Sequence, residues 1–209
     1  MRADSANKGK EDKKIIKEYQ QLVGALLYLA AWCRPEIAVV DNQCAKFMSN
    51  PSLTHLSAAK RILLYLKGSA KLGITYTRSP PGQKGNTLWS YADADHAGDP
   101  DTRRSVTGYV VMMNGGAISW SSTRQAVVAL SSSEAEFYAA SNCACDVSAM
   151  RMMTGQLGFD QTEPTIVFKD NWECIYLSKN LVMYHKSKHI DLRVYHLRYM
   201  CQAGITELI

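Results

Sequence analysis

Asp93 and Asp95 stand two residues apart at the end of the apolar run Trp89-Ser90-Tyr91-Ala92. In a strand that spacing sends both carboxylates to one face, where a cation or a shared proton relieves their repulsion. The pair therefore reads as half of a divalent-metal site. Two more acids fit the same chemistry. Glu136 falls on the buried line of a long helix, found by stepping back from Leu157 through Met153, Met150, Val147, Cys143 and Ala140. Glu134 is about 200° further round and is explained as a capping acid behind Ser131, in a Ser-Ser-Ser-Glu capping box. Asp170 closes the apolar strand Thr165-Ile166-Val167-Phe168-Lys169, at the strand end where alternating α/β folds meet their ligands. Each acid has a plainer reading: Glu136 as a second capping acid or a core-edge carboxylate, Asp170 as an N-cap for the next helix. Asp99 and Asp101 crowd the same stretch as Asp93, but Ala97 and Arg104 occupy the fifth and twelfth positions of a calcium loop, which excludes an EF-hand. Those two acids are expected in a surface turn.

A strand-borne Asp, a hairpin, a long helix with a core-facing Glu and a strand ending in Asp form the layout of a carboxylate cluster for two metal ions. Oxygen-only ligands suit Mg²⁺ or Mn²⁺, which activate water and stabilise the leaving oxygen of a phosphodiester.

The elements that would carry these acids follow from periodicity. Met1 to Lys14 is charged and small, and is expected to be a mobile tail. Residues 15–77 are expected to form a small helical region: one helix with Leu22, Val23, Leu26, Leu27 and Ala30 on a stripe, a second opened by Pro35 and carrying Ile37, Val40, Cys44 and Phe47, and a third N-capped by Thr54 and stopped at Gly68. A short strand is expected at Leu72 to Tyr76. The Ser-Pro-Pro-Gly-Gln-Lys-Gly segment makes 78–87 a linker. Residues 88–209 then give a strand at Leu88 to Ala94, a hairpin of Val106 to Met113 and Ala117 to Ser122 about Asn114-Gly115-Gly116, the long helix, the Asp170 strand, two more helices and the start of a last strand at Ile205 to Ile209.

Composition sets the outer limits. The 46% hydrophobic content describes a folded protein, and a net charge of +5 permits a polyanionic partner without demanding one. Six scattered cysteines, without a CxxC pair, are expected as reduced core thiols of an intracellular protein. The longest apolar stretch, Leu22 to Trp32, is too short to span a bilayer, so no membrane partner is expected.

The chain resembles the ribonuclease H region of copia-type retrotransposon Pol polyproteins. The likeness rests on Tyr91-Ala92-Asp93-Ala94-Asp95-His96-Ala97-Gly98-Asp99, Arg104-Ser105-Val106-Thr107-Gly108-Tyr109, Ala117-Ile118-Ser119-Trp120-Ser121-Ser122 with Gln125, Ala129 through Glu136, Asp170-Asn171, and Lys188-His189-Ile190-Asp191. Upstream, Tyr19 through Leu29, Arg34-Pro35-Glu36-Ile37, and His55 with Ala58 through Gly68 resemble the segment joining reverse transcriptase to ribonuclease H in these polyproteins.

The resemblance implies a ribonuclease H-like α/β fold: a mixed sheet of three antiparallel strands plus parallel strands, with flanking helices, preceded by a small helical region. It implies Asp93, Glu136 and Asp170 as catalytic, metal-binding acids, with Asp95 only a neighbour. Mg²⁺ or Mn²⁺ is the implied cofactor, an RNA–DNA hybrid the implied substrate, and the rest of the Pol polyprotein or reverse transcriptase the implied partner. Lys186, Lys188, His189 and Arg193 would meet hybrid phosphates. A cytoplasmic particle or the nucleus is the implied location. The family pattern also holds a fourth acid, in an Ala-Asp segment before Thr-Lys, that these 209 residues do not contain. Weak or absent nuclease activity is therefore expected of the chain alone, and the alternative is a noncatalytic nucleic-acid-binding remnant. No Tyr-x-Asp-Asp arrangement is present, so DNA synthesis by these residues is not expected.

Overall fold

The computed structural model describes residues 13–78, 85–179 and 188–209, with side chains from 14 in the first segment and from 192 in the last. Residues 1–12 of the expected tail and 79–84 of the linker lie outside them; Lys13 and Lys14, expected in the tail, already belong to the first helix. Two compact units divide between Ile74 and Thr75.

The first unit is helical: α1 (Lys13–Trp32), a 3-10 turn (Pro35–Ile37), α2 (Ala38–Ala45) and α3 (Leu53–Gly68). Tyr19, Val23, Leu26 and Ala30 recur at helical spacing on α1 and meet Ile37, Cys44, Phe47, Leu56, Ala59 and Ile62 in one core. Two expectations are corrected here. The N-cap of α3 is Ser52, not Thr54: His55 N–H donates to Ser52 Oγ while Ser52 N–H donates to His55 Nδ1. A capping box thus forms two residues earlier, with a histidine as its reciprocal partner. Val40 is exposed, because α2 ends at Ala45 and turns only Asp41 and Cys44 fully inward.

Asp41 is the anomaly of this unit. It is fully buried, and among the described residues neither carboxylate oxygen has a hydrogen-bond partner. Tyr19 stands close by, but its hydroxyl donates to the Cys44 carbonyl at 2.7 Å. Burial without compensation pushes Asp41 up to about 6.

In the second unit a five-stranded sheet has the order β3-β2-β1-β4-β5. Its strands are β1 (Leu88–Asp95), β2 (Val106–Met113), β3 (Gly116–Arg124), β4 (Thr165–Phe168) and β5 (Thr206–Leu208). β1, β2 and β3 are antiparallel, whereas β4 runs parallel to β1, and β5 parallel to β4. This is the expected mixed sheet. Asn114 and Gly115 both take positive φ, 52° and 79°, the pairing a two-residue turn needs to match strand twist. The expected strand at 72–76 does not form. That stretch has no ladder partner: its tie to the hairpin is the Tyr76 hydroxyl donating to the Ala117 carbonyl at 2.8 Å, and just beyond it Thr77 N–H donates to the Asn114 carbonyl at 2.8 Å.

Among the described residues three helices flank the sheet: α4 (Ser132–Gln156), α5 (Trp172–Lys179) and α6 (Lys188–Gln202). α4 lies on β1, β2 and β4, with Ala140, Cys143, Ala144 and Val147 in one cluster with Ala92, Val111, Val167, Leu197 and Leu208. The small residues let helix and sheet approach closely. The expected stripe fails at its end, where Met153 and Leu157 are 51% and 71% exposed and Thr154 is buried instead. At 3.6 residues per turn the inward line beyond Val147 and Met150 runs to 154, one position past Met153. Of the cysteines, all free, Cys44, Cys143 and Cys174 are buried, Cys201 is half-buried, and Cys33 and Cys145 are exposed.

Asp41 gives the helical unit a pH dependence. The native chain holds a proton there up to about pH 6; the unfolded chain releases it near pH 4. Between those values the native state binds more protons, so stability falls as pH rises, by roughly 2–3 kcal/mol, and stays low above. Denaturant melts of Asp41→Asn should match the parent near pH 3, below both values, and exceed it by that amount at pH 8.

Candidate metal centre

The site is built by the register of two parallel strands. Tyr91 pairs with Phe168, so Asp93 and Asp170 each lie two residues further on, one on the end of β1 and one just beyond β4. Neighbouring strands sit about 4.8 Å apart, so the two side chains meet at the same edge of the sheet. The first turn of α4 brings the third acid. Ser131 Oγ accepts from Glu134 N–H, and Glu134 Oε2 accepts from Leu130 N–H at 2.7 Å rather than from the cap residue itself. Glu134 is thereby consumed in starting the helix. Glu136, two residues later, turns toward the strand ends.

Asp93, Glu136 and Asp170 each offer a carboxylate oxygen, and these three atoms lie within 4.8 Å of one another. Asp93 and Asp170 are exposed and Glu136 is buried. Burial, reinforced by the charges of Asp93 and Asp170, holds the Glu136 carboxyl above the usual carboxylate range although the Lys169 ammonium opposes the shift. Such crowding is what a divalent cation removes. The all-oxygen donor set suits a hard ion, so the residues fit Mg²⁺ or Mn²⁺.

Asp170 is free for this role because Asn171 is the cap: its Oδ1 accepts from Cys174 N–H at 2.8 Å at the start of α5. Asp95 is not in the cluster. Its carboxylate lies over Gly98, where a Cβ would stand 1.7 Å from Asp95 Oδ2.

Asp99 departs from expectation. It is not a surface residue: it is 1% exposed, accepts from Arg124 Nη1 at 2.7 Å and from Thr102 Oγ1 at 2.9 Å, and its Oδ1 accepts from Asp101 N–H. It ties the β1–β2 connection to the end of β3. Gln125 does similar work, donating to Thr107 Oγ1 on β2 and to the Ala135 carbonyl on α4, both at 3.0 Å. Of the basic segment, Lys186 lies outside the described residues, as do the side chains of Lys188 and His189. Arg193 packs on α4, with its guanidinium 5.0 Å from the centre of the Tyr138 ring and donating to Asn142 Oδ1 at 2.8 Å.

Lys169 is the residue that sequence reasoning passed over. Its side chain is fully buried, and its Nζ donates to Glu136 Oε2 and, at 2.9 Å, to the Ala92 carbonyl. A signal for it was present. Strand alternation puts residue 169 on the same face as Thr165 and Val167, the face that packs on α4, and a lysine there must find an anion.

Compared with known proteins, the chain is 38% identical over 194 residues to the retrovirus-related Pol polyprotein from transposon RE1 of Arabidopsis thaliana, a match covering 92% of this chain. It is 40% identical over 182 residues, 87% of this chain, to that from transposon TNT 1-94 of Nicotiana tabacum. The chain belongs to the copia-type retrotransposon Pol polyproteins. It spans 13% of the length of each of these two Pol relatives. Among solved structures, LC11 ribonuclease H1 in complex with an RNA/DNA hybrid aligns with 59% of this Pol segment and 82% of its own chain, at a TM-score of 0.42 and 12% identity. No family model matches.

Asp99 and Asp101 should separate sharply on substitution. Asp99→Ala strands Arg124 and a buried turn and should cost about 2 kcal/mol, whereas Asp101→Ala should stay within about 0.5 kcal/mol. Denaturant melts of the two variants against the parent check both.

Proposed function

We propose that this Pol segment is a ribonuclease H-type unit that hydrolyses the RNA strand of RNA–DNA hybrids. The observation that carries the reading is the convergence of Asp93, Glu136 and Asp170 oxygens within 4.8 Å at the end of two parallel strands. In this reading those three acids hold Mg²⁺ or Mn²⁺, which when bound activates a water and stabilises the leaving oxygen of the phosphodiester. Asp93 and Asp170, being exposed, face the side from which a strand can approach, and Glu136 holds from the buried side. The β1–β4 register fixes the spacing of the first two, and the Ser131 cap fixes the third.

Lys186, Lys188, His189 and Arg193 are proposed to meet hybrid phosphates, a contribution that falls with rising salt. The rest of the Pol polyprotein is the proposed partner, and a reducing intracellular setting, a cytoplasmic particle or the nucleus, accords with six free thiols. One observation favours the second reading, a noncatalytic hybrid-binding segment: Lys169 already neutralises Glu136.

With three of the four family acids, the chain incubated with a labelled hybrid and Mg²⁺ or Mn²⁺ should cleave the RNA strand only weakly, and Asp93→Asn should lower that residual rate by at least about 100-fold. Salt-sensitive hybrid binding with no cleavage at either metal, unchanged in Asp93→Asn, would select the noncatalytic reading.

A further inference from the structure

We propose that Lys169 is a built-in counter-cation of the acid cluster, one that a divalent ion must displace before it can use the Glu136 carboxylate. The proposal rests on the metal-binding reading above and concerns how this chain regulates that site.

Three features set Lys169 apart from an ordinary ion pair. Its side chain is wholly buried while Glu136 retains 10% exposure, so the ammonium lies on the inner side of the pair and the carboxylate on the outer. Its second acceptor is the Ala92 carbonyl, one residue before Asp93, and Lys169 itself is one residue before Asp170. The ammonium is thus anchored to the same two strand ends that present the exposed acids. It also shares its principal partner, Glu136, with the candidate cation.

An ammonium held here does two things at once. In the metal-free chain it supplies positive charge to three clustered carboxylates, letting the strand ends and α4 pack together without an ion. When a divalent ion arrives, the fixed charge repels it, and the Glu136 oxygen must leave one cation for the other. The chain folds without metal at the expense of holding metal less tightly. The Ala92 carbonyl gives the ammonium a fixed second partner through the exchange.

Mn²⁺ binding to the full chain, measured by calorimetry and by the spin-resonance signal of free Mn²⁺, tests this in the parent, Lys169→Met, Asp93→Asn and the Lys169→Met/Glu136→Gln double variant. Lys169→Met should bind Mn²⁺ about tenfold more tightly, and adding Glu136→Gln should abolish the gain. A second measurement needs no substitution. Acetylation of Lys169 by an amine-reactive reagent, read by mass spectrometry in the parent chain, should rise with Mg²⁺ along the binding curve, because displacement frees the amine. Unchanged or weaker Mn²⁺ affinity in a folded Lys169→Met, or acetylation that Mg²⁺ leaves unchanged, would overturn the proposal and make the pair purely structural. Loss of Mn²⁺ binding in Asp93→Asn alongside either result would leave the metal reading standing and remove only Lys169's part. Absence of Mn²⁺ binding in the parent and in Lys169→Met alike would remove both.

Discussion

The parallel pairing of β1 with β4 is the constraint on which the second unit depends. Tyr91 opposite Phe168 fixes Asp93 opposite Asp170, and the aromatic pair stacks at 4.9 Å just before the acids begin. A register slip of one residue would turn one of the two carboxylates to the other face and leave the cluster with two members. The same pairing places Ala92 and Val167 under α4, so the packing that stabilises the unit also locates Glu136. Fold and site are therefore set by one contact, with the register deciding which side chains meet.

Much of this was legible in the sequence because the signals were local. The strand-end position of Asp93, the Asn-Gly turn and the serine before Glu134 each act within a few residues, and helical period separates Glu136 from Glu134 without knowledge of the sheet; the two-residue spacing of Asp93 and Asp95 misled, since Asp95 lies over Gly98 and outside the cluster. What escaped depends on distant partners. Asp99 reads as a loop acid until Arg124, 25 residues away, is seen to close on it. The 72–76 segment has strand composition but forms no ladder, and its Tyr76 reaches β3 through the side-chain hydroxyl instead of the backbone. The end of the α4 stripe failed for a different reason: stepping by threes and fours through Met153 forced a 3.5-like repeat, while the straight helix carried Thr154 inward.

His55 shows how a local rule can be right in kind and wrong in place. Thr54 has the chemistry of a cap, but Ser52 precedes it with a partner three residues on that can return the bond. The stacked Phe47 ring, 3.9 Å from the imidazole, fixes that partner's orientation. Tertiary packing chose between two acceptable caps.

Buried acids in this chain meet four different fates, and the differences point to which one can change partner. Asp41 has no hydrogen-bond partner among the described residues and keeps its proton to about pH 6. Asp99 is held by a guanidinium, a hydroxyl and a backbone N–H, a set of bonds that leaves little for a ligand to gain. Glu134 caps its own helix through the Leu130 N–H. Glu136 is held by a single flexible ammonium that has a second acceptor of its own, and two exposed carboxylates stand within reach of the same point. Exchange of one cation for another leaves every backbone bond of the sheet and of α4 intact. At the other three acids a new partner would have to break a cap, break a turn or enter a helical core, so the physics of burial singles out the position that the fold also places at the strand ends.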